Sequence, residues 1–193
     1  KEGEITVFST KLFDIIRNLP EGEIEFDLFE NNMLKIKSKS PNIKAEHKIL
    51  GIAKDEFPDI PEIPSAEKFL AIDQILFKRM IRKTNFVTSK EEGKYVLNGL
   101  KVEVKNNNLL MIGVDGRRLA YITANIPDAD VDYNLIIPQK ILAELLKTIN
   151  TDGILKMYFH DNKLFFNFEN FTFISNMLVG EFPNYHLFIP KTN

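Results

Sequence analysis

The sequence predicts an α+β fold of repeated β-α-β-β-β units, with helices on one face of antiparallel sheets. Three observations carry this prediction. A stretch near the start recurs later in the chain, amphipathic helices each follow a short apolar strand, and further strands are separated by tight polar turns. The repeat is visible by eye. Val7–Leu19 (VFSTKLFDIIRNL) matches Ile137–Ile149 (IPQKILAELLKTI), with Asp14 opposite Glu144 and Arg17 opposite Lys147. Further on, Glu56-Phe57-Pro58-Asp59 matches Glu181-Phe182-Pro183-Asn184.

The elements follow in order. The chain opens on Lys1-Glu2-Gly3-Glu4, runs into an apolar strand and then into the first helix. Asn42–Ile49 reads as an ordinary charged edge strand. Pro58, Pro61 and Pro64 mark a stiff boundary. Beyond it, Phe69–Ile72 is a strand and Asp73–Phe86 a helix, with Asp73 as its N-cap. Strands are expected at Tyr95–Val104, Leu109–Val114 and Arg118–Ala124, broken by Asn106-Asn107-Asn108 and Asp115-Gly116. The last copy opens with Leu135–Ile137, and Pro138 suits the first turn of its helix. Leu142, Leu145, Leu146 and Ile149 share that helix's apolar face. Strands Leu155–Phe159, Lys163–Phe168 and Thr172–Leu178 complete it, turning at Asp161-Asn162 and Glu169-Asn170. Residues 63–190 therefore hold two copies and residues 1–62 only one. The unequal number, and a start inside the pattern, read as a piece of a longer chain.

Composition narrows the function. The chain has 193 residues, of which 44% are hydrophobic and 27% charged, enough for a core and a solvated surface. No apolar run nears the roughly 18 residues of a membrane span, and no signal peptide is visible, so a cytoplasmic location is expected. There is no cysteine, which removes thiolate chemistry and Cys-based zinc sites. His47, His160 and His186 are scattered without metal-ligand spacing. No Gly-x-Ser-x-Gly elbow or phosphate-binding glycine loop occurs, and Asp115-Gly116-Arg117-Arg118 is explained by a turn between strands. A protein that is not an enzyme, with no cofactor and no metal, is expected.

The net charge of −2 gives no global sign of nucleic-acid binding. Positive charge is instead sorted locally. At about 100° per residue, Leu76, Phe77, Met80 and Ile81 fall on one arc of the second helix, and Lys78, Arg79, Arg82 and Lys83 on the other. Such a stripe can track phosphates without reading bases. An ordinary solvated helix face has the same pattern. Lys140 and Lys147 repeat the theme on the third helix, diluted by Glu144. Lys11 and Arg17 do so on the first, diluted by Asp14.

Several motifs together resemble the bacterial DNA polymerase III beta subunit, the sliding-clamp family. Val114-Asp115-Gly116-Arg117-Arg118-Leu119-Ala120 is similar to the family's Thr-Asp-Gly-His-Arg-Leu-Ala, and Tyr95-Val96-Leu97-Asn98-Gly99 to its Tyr-Tyr-Leu-Asn-Gly. Gly180-Glu181-Phe182-Pro183-Asn184-Tyr185, followed by Ile189-Pro190-Lys191, is similar to its Gly-x-Phe-Pro-Asp-Tyr…Leu-Pro-Lys.

The resemblance implies a DNA clamp fold. Residues 1–62 would be the second half of domain one, 63–190 all of domain two, and 191–193 the start of a link to a third domain. It implies a non-catalytic processivity factor of the DNA-directed DNA polymerase. Two full-length subunits would close a homodimeric ring around double-stranded DNA, held without regard to sequence. The DNA-facing residues would be Lys78, Arg79, Arg82, Lys83, Lys140 and Lys147, joined by Lys94 and Tyr95. A pocket for short linear motifs of the replicative polymerase, the clamp loader and repair proteins would take Val96, Leu97, Val114, Gly116, Arg117, Arg118, Leu119, Pro183, Leu187 and Phe188. Plain core packing also accounts for Leu119 and Phe188. Arg117 stands where the family often has His, Val114 where it has Thr, and Leu187 where a basic residue is common. Without the third domain this piece would be a monomer with half a pocket. A repeat-built protein-interaction scaffold that does not act on DNA is the alternative reading.

Overall fold

The computed structural model describes residues 3–41, 43–63, 68–89, 92–150 and 152–189, with the side chains of Glu92 and Lys94 outside the described set. The chain divides into two compact units, Lys1–Ile60 and Pro61–Asn193. Pro64, at the expected boundary, lies outside the described residues.

Among the described residues the first unit holds one α-helix, α1 (Ser9–Asn18), a 3-10 turn at Lys54–Glu56, and a three-stranded antiparallel sheet in the order β1 (Ile24–Leu28), β2 (Met33–Ser38), β3 (Glu46–Leu50). Alternation along β2 and β3 turns Leu34, Ile36 and Ile49 inward, where Ile5, Val7, Leu12, Ile15 and Ile16 pack on them. The helix itself buries no residue fully, and Phe8 and Phe13 stay exposed. The edge strand expected at Asn42–Ile49 is shorter and runs from Glu46, and Asn42 is outside the described residues.

The second unit contains two β-α-β-β-β copies. The first is β4 (Phe69–Asp73), α2 (Gln74–Thr84), β5 (Gly99–Lys105), β6 (Asn108–Val114) and β7 (Leu119–Asn125). The second is β8 (Tyr133–Pro138), α3 (Gln139–Thr148), β9 (Ile154–His160), β10 (Lys163–Phe168) and β11 (Phe171–Asn176). The copies exchange their opening strands. One sheet runs β11-β10-β9-β4 and the other β7-β6-β5-β8, so among the described residues β4 pairs only with the second copy and β8 only with the first. Leu70 faces Met157 and Ile72 faces Leu155 in one exchange, while Leu100 faces Ile137 and Val102 faces Leu135 in the other. Both sheets and both helices then share a single core that includes Phe77, Met80, Leu142, Leu145, Phe166 and Phe168.

Local chemistry accounts for the element ends. Asp73 caps α2 by accepting a hydrogen bond from Leu76 N at 2.7 Å. The helix stops at Thr84, whose hydroxyl donates to Met80 O at 2.9 Å, and a 3-10 turn takes over at Asn85–Val87. The two-residue hairpins at Asn106-Asn107 (φ 50 and 61) and Asp161-Asn162 (φ 46 and 63) have positive φ at both positions, which asparagine and aspartate tolerate.

Two expected strands end elsewhere. Tyr95–Val104 divides at Gly99, with a 3-10 run over Glu92–Asn98 and the strand only from Gly99. Gly99 lies against β8 so closely that a Cβ would sit 2.4 Å from Ile137 O, and its partner Pro138 has no N–H to extend the ladder. Thr172–Leu178 ends at Asn176. Leu178 N instead donates to Ile136 O at 2.9 Å, which carries the chain across to the other sheet.

Candidate nucleic-acid face and partner cleft

On α2 the apolar arc is buried through Phe77, Met80 and Ile81, so the opposite arc must face outward. Arg79, Arg82 and Lys83 are exposed, and none has an ion-pair partner among the described residues. They border a shallow groove of about 570 Å³ with Ile75 and Lys78. Lys78 behaves differently. Its half-buried ammonium donates to Ile149 O and lies 3.4 Å from Asn150 Oδ1, tying α2 to the end of α3. Cations near a helix C-terminus satisfy orphan carbonyls and oppose the helix dipole, so Lys78 serves α3. On α3, Lys140 is exposed, while Lys147 pairs with Glu144 at 2.9 Å. Tyr95 is exposed on the 3-10 run, and the side chain of Lys94 lies outside the described residues.

The cleft is built from the β6–β7 turn and the segment that follows β11. In the turn, Asp115 Oδ1 accepts from Arg117 N at 2.9 Å and Arg118 N at 2.8 Å. Its Oδ2 accepts from Arg118 Nε at 3.0 Å and Nη2 at 2.8 Å. The backbone N–H of Arg117, then the side chain and N–H of Arg118, hold the Asp115 carboxyl down at about 2. Gly116 has φ 88, the left-handed geometry that this turn requires.

After β11, Leu178, Phe182 and Tyr185 bury themselves against Leu97, Ile112, Val114 and Ile136. The Tyr185 hydroxyl donates to Glu103 Oε2 at 3.1 Å. Burial first, and the Glu103 carboxylate second, push this phenol up to about 12. Tyr185–Leu187 forms a short 3-10 turn, closed by Phe188 N donating to Tyr185 O at 3.0 Å. Phe188 is thereby presented at 67% exposure.

Between turn and segment lies a cleft of about 520 Å³, lined by Val114, Gly116, Arg117, Arg118, Leu119, Tyr121, Phe188 and Ile189. This size lies within the range of ligand sites, and the mixture of apolar wall and few polar groups is theirs too. Of the pocket residues expected from motif position, Val96, Leu97, Pro183 and Leu187 are not in its lining. Leu97 is buried in the cluster that also holds Val114, with Val96 packed against it, and Leu187 is exposed. Tyr121 and Ile189 line the cleft without having been singled out. The alternation of β7 could have given Tyr121, two residues beyond Leu119 on one face of the strand.

A doubled β-α-β-β-β module with a basic helical face and an apolar cleft at one sheet's rim defines the class of protein as clamp-like. Known proteins agree. Residues 71–184 match the family model for the DNA polymerase III beta subunit, central domain. The beta sliding clamp of Chlamydia muridarum is 31% identical over 188 residues, 96% of this chain and 50% of its own length. The Bacillus subtilis DNA polymerase sliding clamp superposes with a TM-score of 0.86 at 28% identity, covering 98% of this chain and 49% of that one. The DNA polymerase III beta subunit of Pseudomonas aeruginosa gives 0.83 at 27% identity, covering 99% and 52%. The chain belongs to the DNA polymerase III beta-subunit family, and it spans about half the length of the curated relatives it matches.

Proposed function

We propose that this chain is part of a sliding clamp, a processivity factor that encircles duplex DNA and tethers a polymerase through its cleft. The observation that carries the reading is the outward face of α2, where Arg79, Arg82 and Lys83 stand exposed and unpaired among the described residues, on a fold that superposes on sliding clamps. Mobile, exposed cations make exchangeable phosphate contacts without sequence preference, as a sliding ring requires. Lys140 adds to that face, Lys147 adds what Glu144 leaves free, and Lys94 and Tyr95 are proposed to join from the 3-10 run. Residues 1–62 are read as the second half of a first domain and 63–190 as a complete second one, in a parent that dimerises into a ring. The cleft is read as the half-site for short motifs of polymerase, loader and repair partners. The role is non-catalytic.

The test uses the parent protein containing this chain, loaded on nicked circular DNA and washed at high salt. Retention on the circle, with loss when the circle is linearised, is expected. Equal loss from both forms would favour a protein-interaction scaffold instead.

A further inference from the structure

In the β11-β10-β9-β4 sheet, Leu70, Met157, Leu164 and Phe166 point into the core, so the alternate positions point away from it. On that outer face Phe69, Tyr158, Phe165 and Ile174 stand opposite one another in register and form one apolar row across all four strands. Phe165 is buried, whereas Phe69 is 39% exposed and Tyr158 and Ile174 are half-buried. The Phe69 and Tyr158 rings lie 5.3 Å apart. Lys156 stands on one side of the row and Lys163 on the other, and neither has an ion-pair partner among the described residues. Lys156 Nζ rests 4.9 Å from the Phe69 ring centroid. The carboxylates at the margin are engaged, Asp73 in capping α2 and Asp161 beside His160. The matching face of the first unit, on the strands that follow the matching helix, is built otherwise. There Lys37 pairs with Asp27 at 2.5 Å and Lys35 with Glu46 at 2.7 Å. Such cross-strand ion pairs serve a face that has only to meet water. Exposed rings between two uncompensated cations are a different chemistry.

We propose that this outer sheet face binds single-stranded nucleic acid, stacking bases on Phe69 and Tyr158 and holding phosphates with Lys156 and Lys163. Every base has a π-face, so aromatic side chains stack unpaired bases whatever the sequence, and cations beside them track the backbone. A four-stranded sheet with aromatic side chains on its open face is a known platform for this. A cation over a ring is held only weakly at an exposed site, so a phosphate draws Lys156 off Phe69 and frees the ring for a base. The surface is separate from the basic arc of α2, whose groove has no aromatic residue in its lining.

The experiment titrates the parent protein with fluorescein-labelled oligothymidylate of about twelve nucleotides, within the range of known single-strand sites, and with an abasic strand of equal length and charge. Kd is read by anisotropy. Oligothymidylate should bind about fivefold or more tightly than the abasic strand, the least that one base–aromatic stack contributes. Phe69→Leu keeps an apolar side chain but removes the ring, and should erase most of that difference while leaving abasic affinity unchanged. Phe69→Tyr should retain it. Lys156→Gln with Lys163→Gln should lower the slope of log affinity against log salt by up to about 1.4, at roughly 0.7 for each phosphate of a single strand. Equal affinity for the two strands, or a base preference that survives Phe69→Leu combined with Tyr158→Leu, overturns the inference. So does the absence of saturable oligothymidylate binding. If Phe69→Leu instead changes only the sedimentation of the protein alone, the face is a contact between protein chains and the inference falls. None of these outcomes depends on retention of a ring on circular DNA.

Discussion

Asp115 shows how much one side chain organises at the rim. Its four hydrogen bonds, two from backbone and two from Arg118, all favour the carboxylate. The carboxyl lies at about 2 in the fold against an ordinary 3.8, so the unfolded chain binds a proton more readily than the folded one. Stabilisation from this group is then complete above about pH 4 and is lost as the pH falls through 2. The melting-temperature gap between the natural chain and Asp115→Asn, measured from pH 6 down to pH 2, should be constant above pH 4 and close below it. A gap that widens on acidification contradicts the assignment. Tyr185 is the converse case, a phenol pushed up to about 12, which remains a donor to Glu103 across the whole working range. The turn at Asp115-Gly116 was legible in the sequence because aspartate followed by glycine has a local mechanism. The Tyr185–Glu103 bond was not, because its partners lie 82 residues apart and nothing local joins them.

Among the elements, α2 is where one pattern hides two roles. Its wheel sorts Lys78 with Arg79, Arg82 and Lys83, yet Lys78 closes the end of α3 while the other three face outward unpaired among the described residues. Replacing Arg79, Arg82 and Lys83 together by glutamine should lower the slope of log affinity against log salt by up to about 2.7 in the parent, at roughly 0.9 for each phosphate that is no longer neutralised. Lys78→Gln should leave that slope nearly unchanged and instead cost about 1 kcal/mol of stability in a denaturant titration. An unchanged slope in the triple variant would remove α2 from the DNA-facing surface. Periodicity exposes the helix and its faces, and asparagine pairs expose the hairpins. It misplaces the start of β5 and the end of β11, because both are set by contacts across the sheet. Gly99 meets Ile137 O, and Leu178 leaves to bond Ile136 O.

For the molecule as a whole, the exchange of opening strands is the feature least visible in the sequence. A period-2 pattern states which face of a strand is buried but not which neighbour it pairs with. The repeat places two copies in residues 63–190 without saying how they join, and among the described residues β4 has its only strand partner in β9 and β8 has its own in β5. Pulling the copies apart would expose Leu70 and Ile72 of β4 and Leu135 and Ile137 of β8, all nearly inaccessible to solvent. At about 2 kcal/mol each, these four side chains alone represent roughly 8 kcal/mol. A domain's entire net stability is about 5–15 kcal/mol. Neither copy therefore has the means to fold by itself. A protease site placed between Asp128 and Asp130, in the connection from β7 to β8, provides the check. After cutting, the β4–β7 and β8–β11 pieces should co-elute on size exclusion and keep one cooperative thermal transition. Separated in denaturant and refolded singly, each should show no cooperative transition, and mixing them should restore it. A single piece that melts cooperatively would mean that its own β-α-β-β-β unit suffices and that the exchanged strands are not what binds the two copies into one fold.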